Sequence, residues 1–166
     1  MIKFFDLSKQ QKIIKKSLDR NIKSVLKNNK YIQGLEINKL EKKLSQFVLS
    51  KNCITNASGT DSLLLALMAI GIQKGDEVIT SPFSFVSAVE SIILLGAKPI
   101  FVDINPQTFN ICPEKLETKL KEAEEHNSLP KILVLVHLAG YPSDLKKIYS
   151  LTKKYNIKLI EDASHA

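Results

Sequence analysis

Apolar positions Ile13, Ile14, Leu18, Ile22, Val25 and Leu26 recur at helical intervals, which predicts an amphipathic helix over 8–28. A turn at Asn28-Asn29 and an interruption at Gly34 lead to a second helix around 36–49, with Leu40, Leu44, Phe47 and Val48 on one face. From residue 52 the pattern changes to short apolar runs alternating with helical spacing. Strands are expected at Cys53–Ala57, Glu77–Thr80, Pro99–Asp103, Ile132–Leu138 and Ile157–Glu161. Helices are expected at Thr60–Ile70, Ser87–Leu95, from Pro113 through the 114–125 region, and at Ser143–Tyr155 with Ser143 as N-cap.

Strand and helix alternating at this rhythm imply an α/β fold, a mostly parallel sheet with helices on both faces. Residues 1–50 then form a helical segment, and 51–166 a domain built on the sheet. Ligands of open α/β sheets gather outside the carboxyl ends of the strands. The informative residues are therefore Ser58-Gly59-Thr60, Ser81 to Phe85, Asp103, His137 to Tyr141 and Asp162 to His165.

Composition narrows this picture without redirecting it. The 166 residues are 44% hydrophobic and 25% charged, ordinary for a globular domain. The longest apolar runs break at Gly71 and Lys98, short of a membrane span, and the opening residues lack the layout of a signal peptide. The expectation is a cytoplasmic protein without a membrane partner. Cys53 and Cys112 read as buried free thiols. The net charge of +7 is uneven: residues 1–50 hold 12 Lys/Arg against 4 Asp/Glu, and residues 51–166 hold 12 against 13. That basic end is either a solvated lysine-rich face or an attractor for an acidic small molecule. Nucleic acid is disfavoured, because no aromatics interleave with the lysines.

Asn56-Ala57-Ser58-Gly59-Thr60-Asp61 closes a strand and opens a helix. Gly59 permits close backbone approach, and the unpaired amides of a first helical turn favour an anion such as phosphate. An ordinary helix start capped by Ser58 or Thr60 explains the same residues. Phe83-Ser84-Phe85 follows the next strand; an aromatic there can lie on a planar ring, although core packing suits Phe83 better. Asp162 closes the last strand, where a carboxylate needs a partner: a pyridinium nitrogen, or the amides of a following helix. His165 stands three residues on, within reach of the same ligand.

Taken together, these blocks resemble the sugar aminotransferases of the DegT/DnrJ/EryC1/StrS family, which have the type I pyridoxal-phosphate (PLP) fold. The resemblance rests on Tyr31-Ile-Gln-Gly34 with Glu36 and Leu40-Glu41, Asn56 to Asp61, and Gly75 to Thr80. It continues through Gly96-Ala-Lys-Pro99 with Val102-Asp103, His137-Leu-Ala-Gly140 and Glu161-Asp-Ala-Ser-His165. It implies pyridoxal 5'-phosphate as cofactor, with Gly59 and Thr60 at its phosphate, Phe85 on its ring, Asp162 at the ring nitrogen and His165 at the 3-hydroxyl. Ala139 stands where many members have an aromatic and receives no role. The opening Met1 to Leu7 with Gln10-Gln11 looks closest to a branch that aminates the 3-keto group of a UDP-N-acetyl-hexuronic acid in surface-polysaccharide synthesis.

The resemblance further implies a nucleotide-sugar substrate, an amino donor such as glutamate, and a homodimer for the full-length enzyme. Family members are more than twice as long, with the Schiff-base lysine shortly after the Glu161-Asp162 block. The expectation is thus a large domain lacking that lysine and the C-terminal small domain, inactive alone. Two other readings stay open: a PLP-dependent sugar dehydratase of the same family, with histidine replacing the lysine, and a non-catalytic fragment.

Overall fold

The computed structural model describes residues 4–166. Met1-Ile2-Lys3, part of the opening block, lies outside the described residues. Chain contacts divide the protein into two compact units, Met1–Thr55 and Asn56–Ala166.

The first unit holds helices α1 (Ser8–Asn28) and α2 (Leu35–Phe47). Helix α1 stops where Asn29 turns into the left-handed region, a conformation asparagine tolerates. No side chain of either helix is buried, so the apolar stripes that predicted them face outward. The expected strand Cys53–Ala57 is absent. Instead of a strand neighbour, the backbone amide and hydroxyl of Thr55 both donate to the Glu41 carboxylate, each at 2.9 Å. Both cysteines are free, but Cys53 is only half-buried, whereas Cys112 is buried as expected.

The second unit carries α3 (Gly59–Ile70), β1 (Glu77–Thr80), α4 (Ser87–Leu94), β2 (Lys98–Phe101), α5 (Pro113–Glu125), β3 (Ile132–Val136), α6 (Leu145–Lys154) and β4 (Lys158–Asp162). All three strand pairs are parallel, in the order β2-β1-β3-β4. Each strand's alternate side chains feed opposite faces. Val78, Ile132, Val134 and Ile160 pack with Leu63 and Leu67 of α3 and Ala88 and Ile92 of α4. Ile79, Leu133, Leu135 and Leu159 pack on the other face with Leu116 and Leu120 of α5 and Ile148 and Leu151 of α6. Burying each such side chain contributes about 2 kcal/mol, and two covered faces explain why β3 is apolar at successive positions.

Local chemistry sets the boundaries. Ser58 caps α3 by accepting from the Asp61 amide, and Gly71 ends it in the left-handed conformation. Strand β3 ends at Val136 rather than Leu138, because the Leu138 amide donates to the Asn110 side chain. A 3-10 turn, Leu138–Gly140, follows. Helix α6 begins later than expected: Asp144, not Ser143, caps it by accepting from the Lys147 amide at 3.1 Å. Phe83 is not core. It is half-exposed and packs on Phe109, ring centroids 5.8 Å apart.

Candidate functional site

The chain order 2-1-3-4 reverses direction between β1 and β3, and a crevice at the carboxyl ends of the strands follows from that reversal. There a small cavity of about 80 Å³ is bounded by Ser84, Phe85, Val136, Asp162, Ser164 and His165. Three of the five residues singled out from the sequence, Phe85, Asp162 and His165, thus share one cavity. Gly59 borders it indirectly: a Cβ added there would lie 3.5 Å from Ser164 Oγ. Thr60 does not line it and is tied instead to α4, its carbonyl accepting from the buried Ser91 hydroxyl at 3.5 Å.

Asp162 occupies the final position of β4, half-buried, on the α3/α4 face that Ile160 also faces. Its Oδ1 accepts from the Ser164 amide at 3.0 Å and from the Ser164 hydroxyl at 2.5 Å. This is a local turn rather than the helix cap that the sequence also allowed. Among the described residues no cation pairs with Asp162. Phe85 stands 69% exposed at the rim, its ring free of aromatic partners among the described residues. Ser58 takes the Asp61 amide, while no described hydrogen bond takes the amides of Gly59 or Thr60.

These groups fit a pyridine-type cofactor bearing a phosphate. Among the described residues they comprise a carboxylate with no cationic partner, an open aromatic ring, and a helix start with free amides. The 80 Å³ space takes only a ring edge, so the rest of such a molecule would rest against the open Phe85 side.

His165 is held from the neighbouring turn. The Ala139 amide donates to His165 Nδ1 at 3.3 Å, which leaves Nε2 as the nitrogen that carries the proton in the neutral ring. Gly140, at φ 80°, lies so close that an added Cβ would sit 2.6 Å from the His165 carbonyl oxygen. Only glycine suits both the conformation and the approach.

Sequence reasoning gave no role to four residues that build this end of the sheet. Glu161 and Asp162 are adjacent on a strand and so point to opposite faces. Glu161 meets His137 Nε2 at 2.9 Å and accepts from the Tyr149 hydroxyl at 2.5 Å. Burial pushes the Glu161 carboxyl up, but the bonds from Tyr149 and His137 outweigh it and leave the group below its ordinary range. The same bond to Glu161 raises Tyr149. The buried His137 accepts from the Ser143 amide at Nδ1, so it donates to Glu161 through Nε2. Asn110, also buried, accepts from the Leu138 amide at 2.9 Å and donates to the Tyr141 carbonyl at 2.8 Å. Apart from the local bond between Ser143 and His137, the pairs span 12 to 31 residues, and of this group only the strand alternation that turns Glu161 away from Asp162 is legible in the sequence.

A larger cavity, about 250 Å³, lies beside Glu77 at the start of β1 and His126 just past α5, at the other end of the sheet. It gathers none of these groups. Among the described residues no His/Cys/Asp/Glu cluster is arranged for a metal ion, and no helix is long and apolar enough to cross a membrane.

Comparison with known proteins identifies the family and the fold. The sequence pattern of the DegT/DnrJ/EryC1/StrS aminotransferase family matches residues 12–166. A UDP-2-acetamido-2-deoxy-3-oxo-D-glucuronate aminotransferase from Pseudomonas aeruginosa is 42% identical over 100% of this chain and 45% of its own length. The crystal structure of a DegT/DnrJ/EryC1/StrS aminotransferase from Brucella abortus superposes with a TM-score of 0.93 at 33% identity, over 98% of this chain and 44% of that one. The Escherichia coli GDP-4-keto-6-deoxy-D-mannose-3-dehydratase with bound hydrated PLP superposes with a TM-score of 0.78 at 27% identity, over 86% of this chain and 37% of that one. The chain therefore spans less than half the length of these relatives.

Proposed function

The chain belongs to the DegT/DnrJ/EryC1/StrS aminotransferase family, and from that premise we propose that it forms the cofactor-binding front of a PLP-dependent enzyme that aminates a nucleotide-linked keto sugar. The observation that carries the reading is the Asp162 carboxylate, fixed at a strand end, without a cationic partner among the described residues, in one cavity with Phe85 and His165. PLP is the cofactor of the family and its structural neighbours, and its protonated ring draws electrons from the carbon bearing the amino group, so that a proton can leave it.

This chain's residues then have separate tasks. Asp162 holds the ring nitrogen's proton by ion pairing. Phe85 covers one ring face and excludes water from it. The first-turn amides at Gly59 and Thr60 bind the phosphate, assisted by the α3 dipole. His165 donates through Nε2 to the ring oxygen, its Nδ1 being occupied by Ala139. The residue that moves the proton at the reacting carbon is to be sought in sequence beyond Ala166. We assign that role to none of the lysines present.

The substrate we favour is a UDP-linked 3-keto hexuronic acid, with glutamate as donor, in surface-polysaccharide synthesis. The Pseudomonas relative's substrate and the net +8 of residues 1–50 support it, since a doubly acidic sugar complements a basic face. We further propose a cytoplasmic homodimer in which residues 1–50 are a helical segment, 51–166 part of the large domain, and a small domain is contributed by further chain. A dehydratase is the second reading, favoured by the superposition on the E. coli dehydratase.

The test is to read the gene past codon 166, express the uninterrupted frame and supply glutamate with UDP-2-acetamido-2-deoxy-3-oxo-D-glucuronate. A lysine soon after the Asp162 block and amination of this sugar are expected. A histidine there would favour the dehydratase, and amination of neutral 4-keto sugars alone would overturn the acidic substrate.

A further inference from the structure

A carboxylate at the end of a strand turns freely about two side-chain bonds unless something grips it. At Asp162 both available donors come from one residue. The Ser164 amide and hydroxyl converge on Oδ1 at 3.0 and 2.5 Å. The second is as short as hydroxyl bonds to an ionised carboxylate become. Oδ2 takes no described hydrogen bond, so it is the oxygen left for a ligand.

Ser164 lines the cavity and also approaches the start of α3. Its Oγ is 3.5 Å from where a Gly59 Cβ would sit, at the start of α3. A serine next to a helix start reads at first as a direct phosphate ligand. Its one hydroxyl proton, however, is directed to Asp162, and only lone pairs remain toward Gly59, the wrong polarity for an anion.

We propose that Ser164 is a positioning residue for Asp162: it clamps Oδ1 and so presents Oδ2, in a fixed plane, to the ring nitrogen of the cofactor. The proposal rests on the reading of Asp162 as the partner of that nitrogen. It predicts that Ser164 matters to a ligand only through the nitrogen. In Ser164→Ala the amide bond to Oδ1 persists, so the loss is partial.

The test is calorimetric titration of the full chain with two probes, pyridoxal 5'-phosphate and its 1-deaza analogue, in which a C–H replaces the ring nitrogen. Wild type should bind the nitrogen-containing probe more tightly. Ser164→Ala should weaken that probe by about tenfold and leave the deaza analogue unchanged. Ser164→Thr, which keeps the hydroxyl, should restore the preference. Equal weakening of both probes, or no weakening of either, would show that Ser164 does not act through Asp162 and would overturn the proposal alone. Wild type that does not discriminate between the probes would instead overturn the reading of Asp162, and the proposal with it.

Discussion

Gly71 and Gly140 share one backbone conformation, φ 80°, in two different surroundings, and so offer a controlled pair of substitutions. Nothing lies within 4 Å of a Cβ built on Gly71. Gly71→Ala should therefore cost only the left-handed strain of a residue with a Cβ, about 1–2 kcal/mol. At Gly140 the new Cβ meets backbone: the His165 oxygen at 2.6 Å, the His165 carbon at 3.6 Å and the Ala166 Cα at 3.7 Å. To restore an ordinary 3.4 Å contact, the His165 carbonyl must retreat by 0.8 Å (3.4 − 2.6). That motion pulls on the bond from the Ala139 amide to His165 Nδ1, already 3.3 Å long. Gly140→Ala should thus lose the same strain plus about 1–3 kcal/mol of overpacking, less whatever the His165 segment relieves by yielding. Urea denaturation reads the stability, and titration with PLP reads whether the shift of His165 reaches the site. The expected result is that Gly71→Ala loses stability and keeps PLP affinity, while Gly140→Ala loses at least as much stability and also affinity. Gly140→Ala matching Gly71→Ala in stability while binding PLP as wild type does would refute the argument that this turn holds His165 in the site.

Two further outcomes follow from side chains outside the cavity. Asn110→Ala should lower the urea stability by about 2 kcal/mol, because it leaves the Leu138 amide and the Tyr141 carbonyl without their buried partner; a change below about 0.5 kcal/mol would show that water replaces it. Glu114 should titrate at about 2, drawn down from 4.5 first by the hydrogen bond from Lys147 and then by that from the Cys112 thiol. A lowered folded-state value means a contribution present above pH 4.5 and lost as the pH falls from there to about 2. NMR titration of the Glu114 carboxyl should give this midpoint in wild type and one nearer 4.5 in Lys147→Met; wild type titrating near 4.5 would contradict the pairing.

What the sequence disclosed follows from the range of each interaction. Glu77–Thr80 and the helices starting at Ser8 and Pro113 could be placed closely, because period and caps are written within a few neighbouring residues. The failures lie where the deciding partner is remote. Cys53–Ala57 has a strand's composition, but its pairing was settled by Glu41, a helix residue that no local pattern nominates. Ser143 and Asp144 are both good caps, and the chain's approach to α6 selected the second. Phe83 and Phe85 look alike in sequence, yet both face outward, and only the fold brings Phe85 beside Asp162. In the site, the residues at strand ends were legible because parallel sheets expose them at one edge. The supports were not: Ser164 reads as an ordinary loop serine, and the His137–Glu161–Tyr149 group joins a strand, a helix and the residue just past β3.

The central claim is that Asp162 receives the ring nitrogen of PLP, and its most direct test is a calorimetric titration of the chain with PLP, wild type against Asp162→Ala, each checked by urea denaturation. The account predicts saturable binding that weakens by at least about tenfold in Asp162→Ala while stability stays within about 1 kcal/mol, since the carboxylate's described bonds go only to Ser164. Equal affinity in the two proteins would contradict it.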